Sequence, residues 1–286
     1  MEPDTVSVVL RGLSFIALIQ ATGMAIFIAM FGPLLQNSLA PGQRITRLSV
    51  VIAVALLVGH YLVEAARMAG DMSGIVDPAL QNMVLHSAVS AVLVIRVLGL
   101  ALIATTINRC GRVCRAASVI GALTVTASFA LVGHTVVDPL RWALAPLLMI
   151  HVTIVAFWFG ALVPLWLTTS CESLVVAGHV TAAFSKVAIW LVPGIFVAGT
   201  LISLALIGDF ADLRLPYGRL LLGKVGGFTT LMGLAALNKW RLVPAIASGN
   251  PAALRIFRRS LGAEYLLIAS VLSVTAVMTA LYSPES

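Results

Sequence analysis

The stretch Arg141–Leu167, RWALAPLLMIHVTIVAFWFGALVPLWL, decides the fold. After Arg141 it contains no Asp, Glu, Lys or Arg, and its one ionisable side chain is His151. A membrane-crossing helix needs about 20 mostly apolar residues, and this run exceeds that length. Seven further stretches qualify: Val6–Phe31, Thr46–Ala66, His86–Ile107, Ala116–His134, Ser185–Ile207, Tyr217–Leu237 and Ala263–Leu281. Breakers and polar residues separate them: Pro33 and Pro41, Asp77-Pro78, Asp138-Pro139, Asp209 to Pro216, and Gly249 to Pro251. Lipid offers no partner to a backbone N–H or C=O, so continuous apolar runs of this length are helices. A membrane β-barrel would show alternating segments of about ten residues instead. The expectation is an all-α, polytopic membrane bundle of about eight transmembrane helices, with residues 1–286 forming a single membrane domain.

Composition agrees. Hydrophobic residues make up 60% of the chain and charged residues 10%, with a mean hydropathy of +1.06. A soluble domain carries roughly 25% charged residues. The net charge of +7 does not point to nucleic acid, because the basic residues sit in short loops between apolar runs and form no aromatic-laced patch. The first residues include Glu2 and Asp4, where a cleavable signal would be basic. Three Cys imply no disulfide framework.

The basic residues set the orientation. Loops after the first, third, fifth and seventh spans carry Arg44, Arg47, Arg109, Arg112, Arg115, Lys186, Lys239, Arg241, Arg255, Arg258 and Arg259. The opposite loops carry only Arg67, Arg141, Arg214 and Arg219. The positive-inside rule then puts both termini outside the cytoplasm. Trp142, Trp166 and Trp240 stand at span ends, as interfacial anchors do.

With that orientation, four of the five His fall in the outer half: His60, His86, His134 and His151. His151 lies about 15 Å into its span at 1.5 Å per residue, and an ionisable group at depth is a functional candidate. Met68, Met72, Met83 and Met149 share the region, and imidazole with thioether is a ligand set suited to copper. His60, Glu64 and Met68 are spaced four apart and share a helix face. Met149 and His151 do not, unless Pro146 distorts the helix. The candidate metal residues are therefore His134, His151, His60, His86, Met83, Met149 and Glu64. The bland readings stand beside this one: a membrane Met is commonly packing filler, a terminal His is commonly interfacial, and Glu64 can be an ion pair of Arg67. Arg96, Lys224 and Glu264 are read as structural, pairing with one another or with backbone carbonyls. Cys110, Cys114 and Cys171, with His179, fall on the inner side as a weaker soft-metal candidate.

Gly218-Arg-Leu-Leu-Leu-Gly223-Lys224-Val225 nearly matches a phosphate-binding loop, but Val225 replaces the required hydroxyl and no strand precedes it. No ATPase module follows. No hydrolytic constellation and no H-E-x-x-H are present, so the chain is not expected to be an enzyme.

A set of landmarks in order resembles the copper resistance protein D family of bacterial inner-membrane proteins. They are Gly133-His134-Thr135, His151 followed by Trp158-Phe159-Gly160-Ala161-Leu162-Val163-Pro164, Phe184-Ser185, Tyr217-Gly218 with Leu221-Leu222 and Lys224, Asn238, Pro244, Arg259 and Glu264. The resemblance is most specific from about residue 130 onward. It implies a multi-pass copper-homeostasis protein of the bacterial inner membrane, moving copper ions from periplasm to cytoplasm. It further implies a separate periplasmic copper-binding partner, since no soluble copper domain is present. The family's glycine-histidine pair maps to Gly133 and His134, and its histidine before the Trp-Phe-Gly stretch maps to His151. Many members carry Ala where Thr135 stands. Two other readings stay open: a haem- or quinone-binding redox bundle using paired His, and a non-transporting copper sensor or docking partner.

Overall fold

The computed structural model describes residues 2–109, 111–133, 138–206 and 214–282. Among them eight helical segments are long and apolar enough to cross a membrane, as the apolar runs predict. The α-helices are α1 Pro3–Phe31, α2 Leu39–Ala69, the short α3 Pro78–Leu85, α4 Ala88–Thr106, α5 Arg112–Ala127, α6 Arg141–Cys171, α7 Leu174–Leu206, α8 Pro216–Leu237, the short α9 Val243–Ala247 and α10 Pro251–Leu281. No strand occurs among the described residues.

The breakers noted in the sequence become caps. Asp77 accepts from the Ala79 and Leu80 N–H groups at the start of α3, and Asn250 accepts from Ala252 N–H ahead of α10. Each is followed by Pro at the first helical position, where a missing N–H costs nothing. Gly70 ends α2 with φ +82°, a left-handed turn that glycine adopts freely.

Three helices begin well before their apolar cores: α2 at Leu39 rather than Thr46, α7 at Leu174 rather than Ser185, and α10 at Pro251 rather than Ala263. His179 and Lys186 therefore lie on α7, and Arg255, Arg258 and Arg259 on α10, not in loops. Apolar length measures the bilayer crossing, whereas backbone hydrogen bonding carries a helix on into the polar zone until a cap stops it.

α1 runs through the centre of the bundle, with 78% of its apolar window buried. It crosses α6 with backbones in contact: a Cβ on Gly23 would fall 1.8 Å from the Ala156 carbonyl oxygen, and one on Gly160 would fall 2.3 Å from Gly23 Cα. Close crossing at small residues replaces the hydrophobic drive that lipid cannot supply. Phe27, Phe159, Leu18, Leu162 and Leu165 fill the core around this contact. α4 and α5 meet in the same manner at Gly99 and Gly121.

The start of α1 and the end of α10 lie on one face of the bundle. Arg67 at the end of α2 pairs with Asp4 at 2.8 Å and Glu64 at 3.3 Å, and Arg11 Nη1 donates to the Thr279 carbonyl near the end of α10 at 3.0 Å. At the opposite, arginine-rich face, Glu172 between α6 and α7 clamps the α1–α2 turn. Its Oε1 accepts from Gln36 N–H, Ser38 N–H and the Ser38 hydroxyl at 2.7–2.8 Å. Burial alone would raise this carboxyl, but the Ser38, Gln36 and Asn37 hydrogen bonds outweigh it and hold the pKa below the ordinary carboxylate value.

Candidate functional site

Among the described residues no three His, Cys, Asp or Glu side chains group as a metal site. His134 lies outside the described residues, as does Cys110. His86 is exposed at the end of α3. Its Nδ1 faces the Asn82 carbonyl at 2.8 Å, so Nδ1 donates and Nε2 keeps a free lone pair. His60 on α2 meets the Ser7 hydroxyl at 3.5 Å and stands within electrostatic range of Arg11, Arg67 and Arg96. Three guanidiniums oppose the approach of another cation. Glu64 spends its carboxylate on Arg67. Met68 and Met83 are exposed, and Met149 is half-buried on α6. Cys114 is half-buried and Cys171 exposed.

His151 is held more firmly. Its Nδ1 donates to the Ile195 carbonyl of α7 at 3.2 Å, and its Cε1 sits where a Cβ on Gly199 would come within 3.2 Å. That bond fixes the tautomer and leaves Nε2 available, the arrangement typical of a ligating imidazole.

Seven residues, or two turns, separate His151 from Trp158, so both occupy one stripe of α6 roughly 10 Å apart. The Trp158 indole N–H donates to Glu264 Oε2 of α10 at 3.1 Å, and the Asn238 amide donates to Glu264 Oε1. Glu264 is only 2% exposed. The three side chains border a cavity of about 170 Å³ between α6, α7, α8 and α10, whose wall also holds Phe184, Ser185 and Lys239. Asn238 opens a π-helical turn, Asn238–Leu242. Pro244 has no N–H for the Trp240 carbonyl, and the wider turn, closed by Val243 N–H on the Asn238 carbonyl, accommodates the missing bond.

Two family models match the chain: Copper resistance protein D over residues 178–278, and the Copper resistance protein D-like N-terminal domain over residues 1–141. The chain belongs to the copper resistance protein D family. No curated protein and no solved structure matches it significantly. Trp158, Leu162, Phe184, Ser185, Asn238 and Glu264, all quoted above for the resemblance to this family, line this cavity. The Copper resistance protein D model, over residues 178–278, spans the part of it built from α7, α8 and α10.

Arg96 and Glu264, expected to pair with one another or with backbone carbonyls, take other partners among the described residues. Glu264 takes two neutral donors, and Arg96 donates to the Ser128 hydroxyl at 2.9 Å while stacking on the Phe129 ring at 4.6 Å. The described salt bridges are confined to Arg67. The partners of Glu264 lie 106 and 26 residues away, beyond any local spacing rule. The available signal was the joint presence of Trp158, Asn238 and Glu264 among the family landmarks.

Proposed function

We propose that this member of the copper resistance protein D family is a permease of the bacterial inner membrane that carries copper from periplasm to cytoplasm. The observation that carries the reading is the polar stripe of α6: His151 with a free Nε2, then the Trp158–Glu264–Asn238 group two turns deeper. His151 and Trp158 lie on α6 and Glu264 on α10, within spans that are mostly apolar, and polar groups at such depth mark ion pathways. The positive-inside rule makes the His151 end periplasmic. Copper first meets His134 and His151, with His86, Met83 and Met149 as accessory ligands. Imidazole nitrogens and thioethers suit it. His60 and Glu64 contribute least, given their guanidinium neighbours. A separate periplasmic copper-binding protein delivers the ion, and the chain acts as one membrane domain without enzymatic chemistry.

Cells expressing wild type should accumulate copper, and cells expressing the His134→Ala, His151→Ala double variant at equal membrane levels should not. Equal accumulation would remove these residues from the path. A docking or sensing protein would instead bind copper in liposomes without any flux.

A further inference from the structure

The Glu264 carboxylate is buried among helices, and among the described residues no cation pairs with it. Its two bonds come from the neutral Trp158 indole and the neutral Asn238 amide. Among the groups lining the cavity the one other titratable side chain is Lys239, whose Nζ is directed to the Ser185 carbonyl at 3.5 Å. α6 and α7 contribute only neutral groups to the wall, Trp158, Thr181 and Ser185 among them. α9, which reads VPAIA, has nothing to titrate. α1, also packed on α10, brings its Arg11 to Thr279, far from Glu264 along that helix. A lone carboxylate so desolvated needs a counter-charge.

The hydrogen bonds around it are incomplete in one informative way. Asn238 Oδ1 is buried and has no donor, and Ser260 Oγ, one turn from Glu264 on the same face of α10, is likewise buried and unpartnered. An orphan acceptor beside a carboxylate is where the O–H of a carboxylic acid donates once the amide turns over. The site thus offers a bonding pattern to each protonation state: amide N–H to carboxylate, or carboxylic O–H to amide oxygen.

We propose that Glu264 is a proton-exchange site. Its carboxylate takes a proton from water in the cavity, forming one O–H bond, and releases it when a copper cation passing through supplies the positive charge instead. No electrons move, and each proton lost is replaced by one cationic charge. This deepens the permease reading and rests on it for the copper step alone.

The test is an infrared titration of the purified full-length protein in lipid, reading the C=O band of a protonated carboxylic acid. Wild type should show a band that is lost on alkalinisation and reduced by Cu(I). Glu264→Gln should lack it, and Asn238→Leu should shift its titration midpoint while keeping the band. A wild-type spectrum with no such band at any pH where the protein stays folded overturns the proposal, as does a band that persists unchanged in Glu264→Gln. Proteoliposomes with an internal pH dye separate the two readings. A titrating band with no copper flux leaves the proton site and removes the permease, whereas copper flux without a Glu264 band does the reverse.

Discussion

α1 and the helix pair α8–α9 are two spans of equal length and opposite fate. The candidate spans that contain them, Pro3–Leu34 and Pro216–Ala247, each cover 32 residues, yet 78% of the apolar window is buried in the first and 6% in the second. Both carry glycines. Gly23 of α1 is pressed against the α6 backbone, whereas Gly223, Gly226 and Gly233 of α8 have nothing within 4 Å of an added Cβ among the described residues. Hydrophobicity therefore tells which segments enter lipid, and backbone contact tells which become the pillar. The α1–α6 crossing holds His151 and Trp158 in a fixed frame. The loosely packed α8 leads through the π turn to Asn238, on the other side of the cavity.

The comparison breaks first at the pillar. Gly23→Val or Gly160→Val must push α1 from α6, and over-packing of this severity should cost about 3 kcal/mol or more. Thermal unfolding in detergent should show a large fall or no folded protein. Unchanged stability would mean that the two helices do not touch. Next comes Glu264→Ala, which strands the Trp158 and Asn238 donors in a buried site at about 1–3 kcal/mol for each unsatisfied group. Glu264→Gln, which keeps an acceptor, should lose clearly less.

Glu172→Ala removes the clamp at the arginine-rich face and should cost about 1–2 kcal/mol, seen as faster amide exchange at Gln36 and Ser38. Because the folded carboxyl has a depressed pKa, its contribution is fully present above the unfolded value and is lost as pH falls through the folded one. Acidification of wild type should reproduce the Ala variant's exchange, and the variant itself should respond little. The smallest effects belong to α8. Gly223→Ala and Gly226→Ala meet no neighbour and should stabilise by about 0.5–1 kcal/mol each through the unfolded state. A large loss there would show that α8 is packed against something in the membrane.

The eight crossings were legible because bilayer thickness imposes a length that any apolar run reveals. Their true ends were not, since Leu174–Phe184 and Pro251–Gly262 are helical for reasons of backbone bonding and capping, outside the apolar signal. The outer His residues could be counted toward one face, but a face is wide. His86 caps one short helix, His60 sits among guanidiniums, and His151 leans on α7. Glu264 was visible as a buried charge, and charge suggested an ionic partner. Its actual partners are an indole and an amide, which carry no charge to search for.

The most direct test of the account is copper uptake into proteoliposomes containing purified wild type, His151→Ala or Glu264→Gln, each with unchanged thermal unfolding. The account predicts uptake by wild type and its loss in both variants, one at His151 of α6 and one at the α10 carboxylate that Trp158 of α6 holds. Equal uptake by all three, or none by wild type while copper remains bound, would contradict it.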